Sequence, residues 1–212
     1  MTDRDGLAAQ AAAMGMELHG GIAPDNLMTL EAYDRWRREH KPAMMAHRRL
    51  RSLDLGDHLT LQFESELTMR YQVQEMLRVE RIFTAEGIAD EVAAYAPLVP
   101  TGTNWKATLL LGFSSPEERR AALSRLVGVE HRLFVEVAGQ DKVFAVADED
   151  LDRSTASKTS AVHYLRFELP QGFRDAVLGG ASVTLGCDLE ACAETLNVPA
   201  ATLESLRLDL VS

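Results

Sequence analysis

Apolar and polar residues repeat with a helical period through the first half of this chain and with a strand period through much of the second. A helix is predicted to begin near Thr29 and to run through Tyr33, Trp36 and His40 until Pro42 interrupts it, with a second helical piece carrying Met44, Met45 and His47. Residues 53–56 read as a turn and 58–63 alternate as a strand. From about Ser65 to Phe83 one long helix is expected, on which Met69, Val73, Met76, Glu80 and Phe83 share a face. Glu80 therefore falls in the apolar stripe, and a carboxylate drawn inward needs a partner. A short helix with Ile88, Val92 and Tyr95 on one side stops before Pro97.

The second half opens with a strand over 106–113, followed by Ser115-Pro116-Glu117-Glu118. That run reads as a capping box with proline at the first helical position, and Gly128 closes the helix it starts. Strands follow at 132–137 and 142–147, joined through Gly139-Gln140-Asp141. Residues 148–157 are loop-like, 160–169 form the longest strand candidate, a helix covers 173–178, and 182–185 is a further strand. Two short helices, 189–196 and 199–210, end the pattern. This order predicts an α+β fold: a helical N-terminal half packed on a mixed, mainly antiparallel sheet, with two short C-terminal helices. Residues 1–27, Ala-rich and closed by Gly20, Gly21 and Pro24, read as a flexible N-terminal extension to one α+β domain over 28–212.

With 212 residues, 46% of them hydrophobic, the chain is long enough for one sizeable core. Its net charge of −10 disfavours non-specific binding to nucleic acid or to an anionic membrane. No run approaches the roughly 18 apolar residues of a spanning helix, and Met-Thr-Asp-Arg-Asp lacks the pattern of a signal peptide, so a cytoplasmic location is expected. The final helices have a helix-turn-helix rhythm, but Arg207 is their only cation, which excludes phosphate-dominated DNA binding. Cys187 and Cys192, five positions apart, fit neither a disulfide scaffold nor a zinc ribbon and read as structural thiols.

Three groups carry candidate chemistry. The acidic helix presents Glu66, Gln72, Glu75, Arg78 and Glu80. Glu75 and Glu80 lie about 140° apart on an ideal helix, and no histidine supplies the Glu-x-x-His pattern of a di-iron bundle. The simpler alternative pairs Glu66 with Arg70 on an exposed face. Arg35, Arg37, Arg38, Lys41, Arg48, Arg49 and Arg51 form a basic run suited to an anionic ligand or to neutralising the carboxylates of the acidic helix. His163 alternates with Leu165 and Phe167, which turns its ring toward the core, where it either meets Glu64, Glu75 or Glu80 or is satisfied as a core histidine.

The segments Leu61-Gln62-Phe63-Glu64, Tyr71-Gln72-Val73-Gln74-Glu75-Met76-Leu77-Arg78-Val79-Glu80 and Thr159-Ser160-Ala161-Val162-His163-Tyr164-Leu165-Arg166-Phe167 resemble a bacterial family known only as a domain of unknown function, DUF3501. The resemblance spans about 27–210, and its matching residues are Glu64, Gln72, Glu75, Arg78, Glu80, His163 and Arg166. Relatives encoded beside rubrerythrin-like proteins and iron-sulfur oxidoreductases imply a redox or oxidative-stress setting by association. Where the family more often carries an Asp-His-Pro pattern, this chain has Gly186-Cys187-Asp188-Leu189 and no histidine.

Together these readings give a soluble accessory or small-ligand-binding protein of a redox system, with the seven matching residues around its pocket. Two alternatives stand beside it. One is an enzyme dependent on iron, manganese or zinc, with Glu64, Glu75, Glu80 and His163 as ligands to a transition-metal cofactor. The other is a docking protein that meets a redox partner through the basic run. Glu80 is expected to be buried against Arg166 or an arginine of the 48–51 run.

Overall fold

The computed structural model describes residues 3–211. Helix α1 (Asp3–Ala13) leads into an irregular segment that is built into the fold, in place of the loose extension its composition suggests. Ala11, Met14 and Met16 are buried against Tyr33, Trp36, Met44, Leu67 and Tyr71. The Trp36 indole donates to the Met14 carbonyl at 2.5 Å, and the backbone N–H groups of His19 and Gly20 donate to the Glu66 carboxylate at 2.8 and 2.9 Å.

Helix α2 (Leu30–Leu50), capped by Thr29, passes through Pro42 without the expected interruption. Proline removes one backbone hydrogen bond on the exposed side of this helix, while Tyr33 and Trp36 before it and Met44 and His47 after it are buried, so packing outweighs the local loss. Strands β1 (Ser52–Leu55) and β2 (Leu59–Phe63) then form a hairpin. Residues 53–55 are thus strand, with Leu53 and Leu55 facing the core, and the turn begins at Gly56 in a left-handed conformation (φ 65°).

Helix α3 (Glu66–Val79) starts at a reciprocal cap, in which Ser65 Oγ accepts from Thr68 N and Thr68 Oγ1 accepts from Ser65 N. Its end corrects the expected phase. The Ile82 N–H reaches the Leu77 carbonyl at 2.9 Å, and Arg81 takes the left-handed position (φ 56°), a Schellman closure with arginine where glycine is usual. The chain turns away four residues before the expected end, so Glu80 is exposed, Val79 is 59% exposed and Phe83 is 75% exposed. The buried stripe is Met69, Val73 and Leu77, joined by Val92 of α4 (Ala85–Tyr95).

The rest of the chain is β3 (Asn104–Leu111), α5 (Pro116–Arg125), β4 (Leu133–Val137), β5 (Val143–Phe144), β6 (Val146–Ala147), β7 (Val162–Glu168), α6 (Gln171–Leu178), β8 (Val183–Cys187), β9 (Glu194–Asn197) and α7 (Ala200–Arg207). These strands build two antiparallel sheets, ordered β1-β2-β3-β7-β6 and β5-β4-β8-β9, so the α+β class stands with two sheets in place of one. The chain changes sheets at Ala145, where β5 gives way to β6. Both sheets enclose one core, with Leu61, Phe63, Trp105 and Phe167 from the first and Leu133, Val135 and Leu185 from the second. In β8, a Cβ on Gly186 would sit 2.3 Å from the Phe134 ring, so only glycine lets that aromatic lie against the strand. Of the two C-terminal helices the pattern predicts, only α7 forms. Residues 190–192 make a 3-10 turn, and β9 extends the second sheet because 194–197 pair with the free side of β8.

Arg51 joins the helical and sheet parts. Its guanidinium is fully buried and donates to the Phe63, Glu64 and Ser205 carbonyls, to Ser205 Oγ and to the Asp209 carboxylate. Arg51→Ala strands Asp209 and three carbonyls and should cost about 3–5 kcal/mol in urea melts. Glu80→Ala, on a solvent-facing side chain, should change stability by less than about 0.5 kcal/mol. Equal stabilities for the two variants would contradict this assignment.

Candidate metal centre

His163 is the expected site residue whose surroundings carry chemistry. Its place on the inward face of β7, between Ala161 and Leu165, sets the ring at the edge of the main core, and it is fully buried. Two carboxylates reach it from separate segments: Glu130, in the 3-10 turn 129–131 that leads into β4, and Asp148, immediately after β6. Asp148 Oδ2 lies 2.5 Å from His163 Nδ1, and Asp148 Oδ1 accepts from Tyr164 N at 3.0 Å and from Arg153 at 3.2 Å. Asp148 adopts a left-handed backbone (φ 51°), which asparagine and aspartate tolerate better than most residues.

The other ring nitrogen, Nε2, faces oxygen atoms: Thr159 Oγ1 at 2.7 Å, the Ser160 carbonyl at 3.1 Å and Glu130 Oε2 at 3.9 Å. Ser154 donates to Glu130 Oε1 at 2.5 Å, and Thr159 lies 3.2 Å from Oε2. Burial works against the Glu130 charge, yet the Ser154 hydroxyl, a backbone N–H, the nearby His163 and Thr159 outweigh it and hold the carboxyl below its ordinary range. Among the described residues, Glu130, Asp148 and His163 are the histidine, cysteine and acidic groups close enough to share a metal ion, with ligand atoms within 4.8 Å of one another.

The structure separates the remaining candidates. Glu64 is buried at the start of α3, but Thr68 and Thr108 hold its two oxygens at 2.6 and 2.8 Å, and burial raises its pKa. Glu75 lies between α2 and α3, accepting from Tyr33, Arg37 and Arg78. Burial opposes its charge, but the hydrogen bonds from Arg37, Tyr33 and Arg78 bring its pKa down to about 2. Gln72 is half-buried on the same helix. Glu80 is in solvent, and its expected partner Arg166 pairs with Glu149 and Glu168. The expected metal set of Glu64, Glu75, Glu80 and His163 therefore does not assemble, and only His163 joins the centre.

Glu66, read as exposed, is 6% exposed. Its pairing with Arg70 holds at 2.7 Å, but the ion pair is covered by the N-terminal segment. The basic run is divided as well: Arg37 serves Glu75, Arg38 pairs with Asp34 and Arg51 is internal. A cavity of about 620 Å³ is lined by Leu18, Ile22, Val99 and Leu208 together with Glu66 and Asp209. Both carboxylates there already have arginine partners. Glu130 and Asp148 are missed by sequence reading because three distant segments supply the centre, with no spacing motif to mark them.

A family model described as a protein of unknown function, DUF3501, matches residues 21–210. The chain belongs to the DUF3501 family. The crystal structure of a novel protein of unknown function from Burkholderia pseudomallei is 46% identical, with a TM-score of 0.85 over 90% of this chain and 99% of that one. Comparison with curated proteins gives no match. Among the described residues of this DUF3501 chain, no helix is long and apolar enough to cross a membrane.

The Glu75 cluster yields a signed pH dependence. A carboxylate whose folded pKa is about 2, against an ordinary value of 4.5, contributes stability that is whole above about pH 4.5 and is lost as pH falls toward 2. The melting difference between the natural chain and Glu75→Gln should be constant at neutral pH and narrow across that window. A difference that stays constant down to pH 2.5 would contradict the assignment.

Proposed function

We propose that this protein is a small-ligand-binding protein whose ligand is a divalent transition-metal ion, held by His163 Nε2 and the Glu130 carboxylate. The observation that carries this reading is the carboxylate–imidazole pair on the opposite ring nitrogen. Asp148 accepts from Nδ1 at 2.5 Å, which orients the ring, favours the tautomer with an unprotonated Nε2 and raises its basicity, so that an ion would replace the Thr159 hydroxyl as the partner of Nε2. The 3.9 Å between Nε2 and Glu130 Oε2 is shorter than two metal–ligand bonds of about 2.1 Å end to end, so both atoms can reach one ion, and a small inward movement of either brings them to the roughly 3.4 Å of a tetrahedral pair. The Ser160 carbonyl and the Thr159 and Ser154 hydroxyls offer further oxygen around the same point.

A mixed oxygen and nitrogen set favours iron, manganese or zinc over metals that need thiolate. Iron and manganese also suit the redox or oxidative-stress setting implied by the family resemblance, in which this chain would act as an accessory to an oxidoreductase. Metal-dependent catalysis is the second reading, favoured by the hydroxyl of Thr159 next to the imidazole. The burial of Thr159 supports the binding role over a catalytic one.

Chelator-stripped protein, titrated anaerobically with Fe(II), Mn(II) or Zn(II), should retain one equivalent after desalting and gain melting temperature with metal concentration. His163→Gln and Glu130→Gln should abolish retention, and Asp148→Asn should weaken it by about 10–100-fold. Absence of both stoichiometric metal and a thermal response in the natural chain would overturn the reading.

A further inference from the structure

The two cysteines, read from the sequence as structural thiols, face each other. Cys187 ends β8 and is 2% exposed, and Cys192 closes the 3-10 turn 190–192 before β9. Their sulfur atoms are 3.4 Å apart, about 1.4 Å beyond the roughly 2.05 Å of a disulfide bond. The Cys192 N–H to Leu189 carbonyl bond, at 2.9 Å, holds the turn that brings them together. Cys192 is half-buried and lines a cavity of about 360 Å³ with an apolar floor of Leu59, Ala122 and Leu126 and a rim carrying His58, Glu118 and Arg125.

The two sulfurs are chemically unequal. A hydrogen bond from Cys192 favours a thiolate on Cys187, with help from backbone hydrogen bonding at Leu189 and the charge of Arg132, so the Cys187 pKa is lowered despite burial. The same bond raises the pKa of Cys192. The pair therefore gives up its first proton more readily than an isolated buried thiol would. Cys192, the thiol at the cavity, becomes the attacking sulfur only when its proton passes to Cys187 across the 3.4 Å contact.

We propose that Cys187 and Cys192 are a redox-active dithiol that exchanges with a small-molecule disulfide entering the cavity at Cys192. In the first step the Cys192 thiolate attacks one sulfur of the incoming R–S–S–R. A new S–S bond forms, the incoming one breaks, and the thiolate that leaves takes up a proton as R–SH. In the second step Cys187 gives up its proton, attacks Cys192 Sγ as the thiolate and expels the other R–S⁻, which is protonated in turn. The chain loses two hydrogens and two electrons, and the small-molecule disulfide is reduced to two thiols. This activity is independent of the metal-binding reading, since its residues lie on β8, the following turn and the cavity wall.

Reduced full-length protein, equilibrated anaerobically with oxidised glutathione and then unfolded and alkylated, should take up no label and show an intact mass lower by two hydrogens. Dithiothreitol should restore two labels. Cys187→Ser should stop at a persistent glutathione adduct on Cys192, and Cys192→Ser should form none, because Cys187 is buried. The proposal is overturned if the natural chain keeps two alkylatable thiols after oxidation, or carries glutathione in place of an internal disulfide. Since those outcomes are read on the natural chain, misfolding of a variant leaves the test intact, and metal retention is scored separately.

Discussion

The burial of the Arg51 guanidinium is the constraint on which the arrangement of helices and sheets depends. Arginine carries five N–H donors and a permanent charge, so full burial is tolerable only where acceptors converge on every side. Here they come from the β2–α3 junction, through the Phe63 and Glu64 carbonyls, and from α7 and its exit, through Ser205 and Asp209. Those segments are about 150 residues apart in sequence, and the position of one sets that of the other. Displacing α7 would leave a charged group without partners, a larger penalty than losing an apolar contact of similar area.

The same logic governs the second polar interior, around His163. Glu130, Asp148, Ser154 and Thr159 each meet a partner there, so the loop after β6 is tied to β7 and to the turn before β4. Arg153 closes the outer side by pairing with Asp150 and Asp148 and lying over the Tyr164 ring. Satisfied networks of this kind rigidify their surroundings. Rigidity is also what a metal ligand requires, since an imidazole held by a carboxylate on one nitrogen offers the other in a defined direction. The centre and the dithiol draw on different chemistry, oxygen and nitrogen in one and sulfur in the other, and are built on different segments of the chain.

Much of the element order is legible in the residues because it depends on local periodicity and on caps. Ser115 accepting from Glu118 N, the alternation of His163 with Leu165 and Phe167, and the helix over Ile88, Val92 and Tyr95 all follow from spacing alone. The departures have two causes. Pro42 and the region 189–197 were decided by packing and pairing with other segments, and the end of α3 by a local closure that no glycine announces. Arg81 in the left-handed position is the clearest case: no glycine marks the stop, and the apolar stripe continued on paper into residues that the chain turns away from the core.

Sequence by itself determined the α+β class, the acidic surface balance, the inward face of β7 and the pairing of Glu66 with Arg70. Each of these rests on composition or on neighbours within a few positions. Tertiary structure alone decided which carboxylates meet His163, that Glu75 belongs to Arg37 and Tyr33, that Arg51 leaves the basic run for the interior, and that the two cysteines touch. The physical reason is that a buried polar group takes its partner from whatever the fold brings near it. Periodicity states that a side chain points inward, and only the packing of distant segments supplies what it meets there.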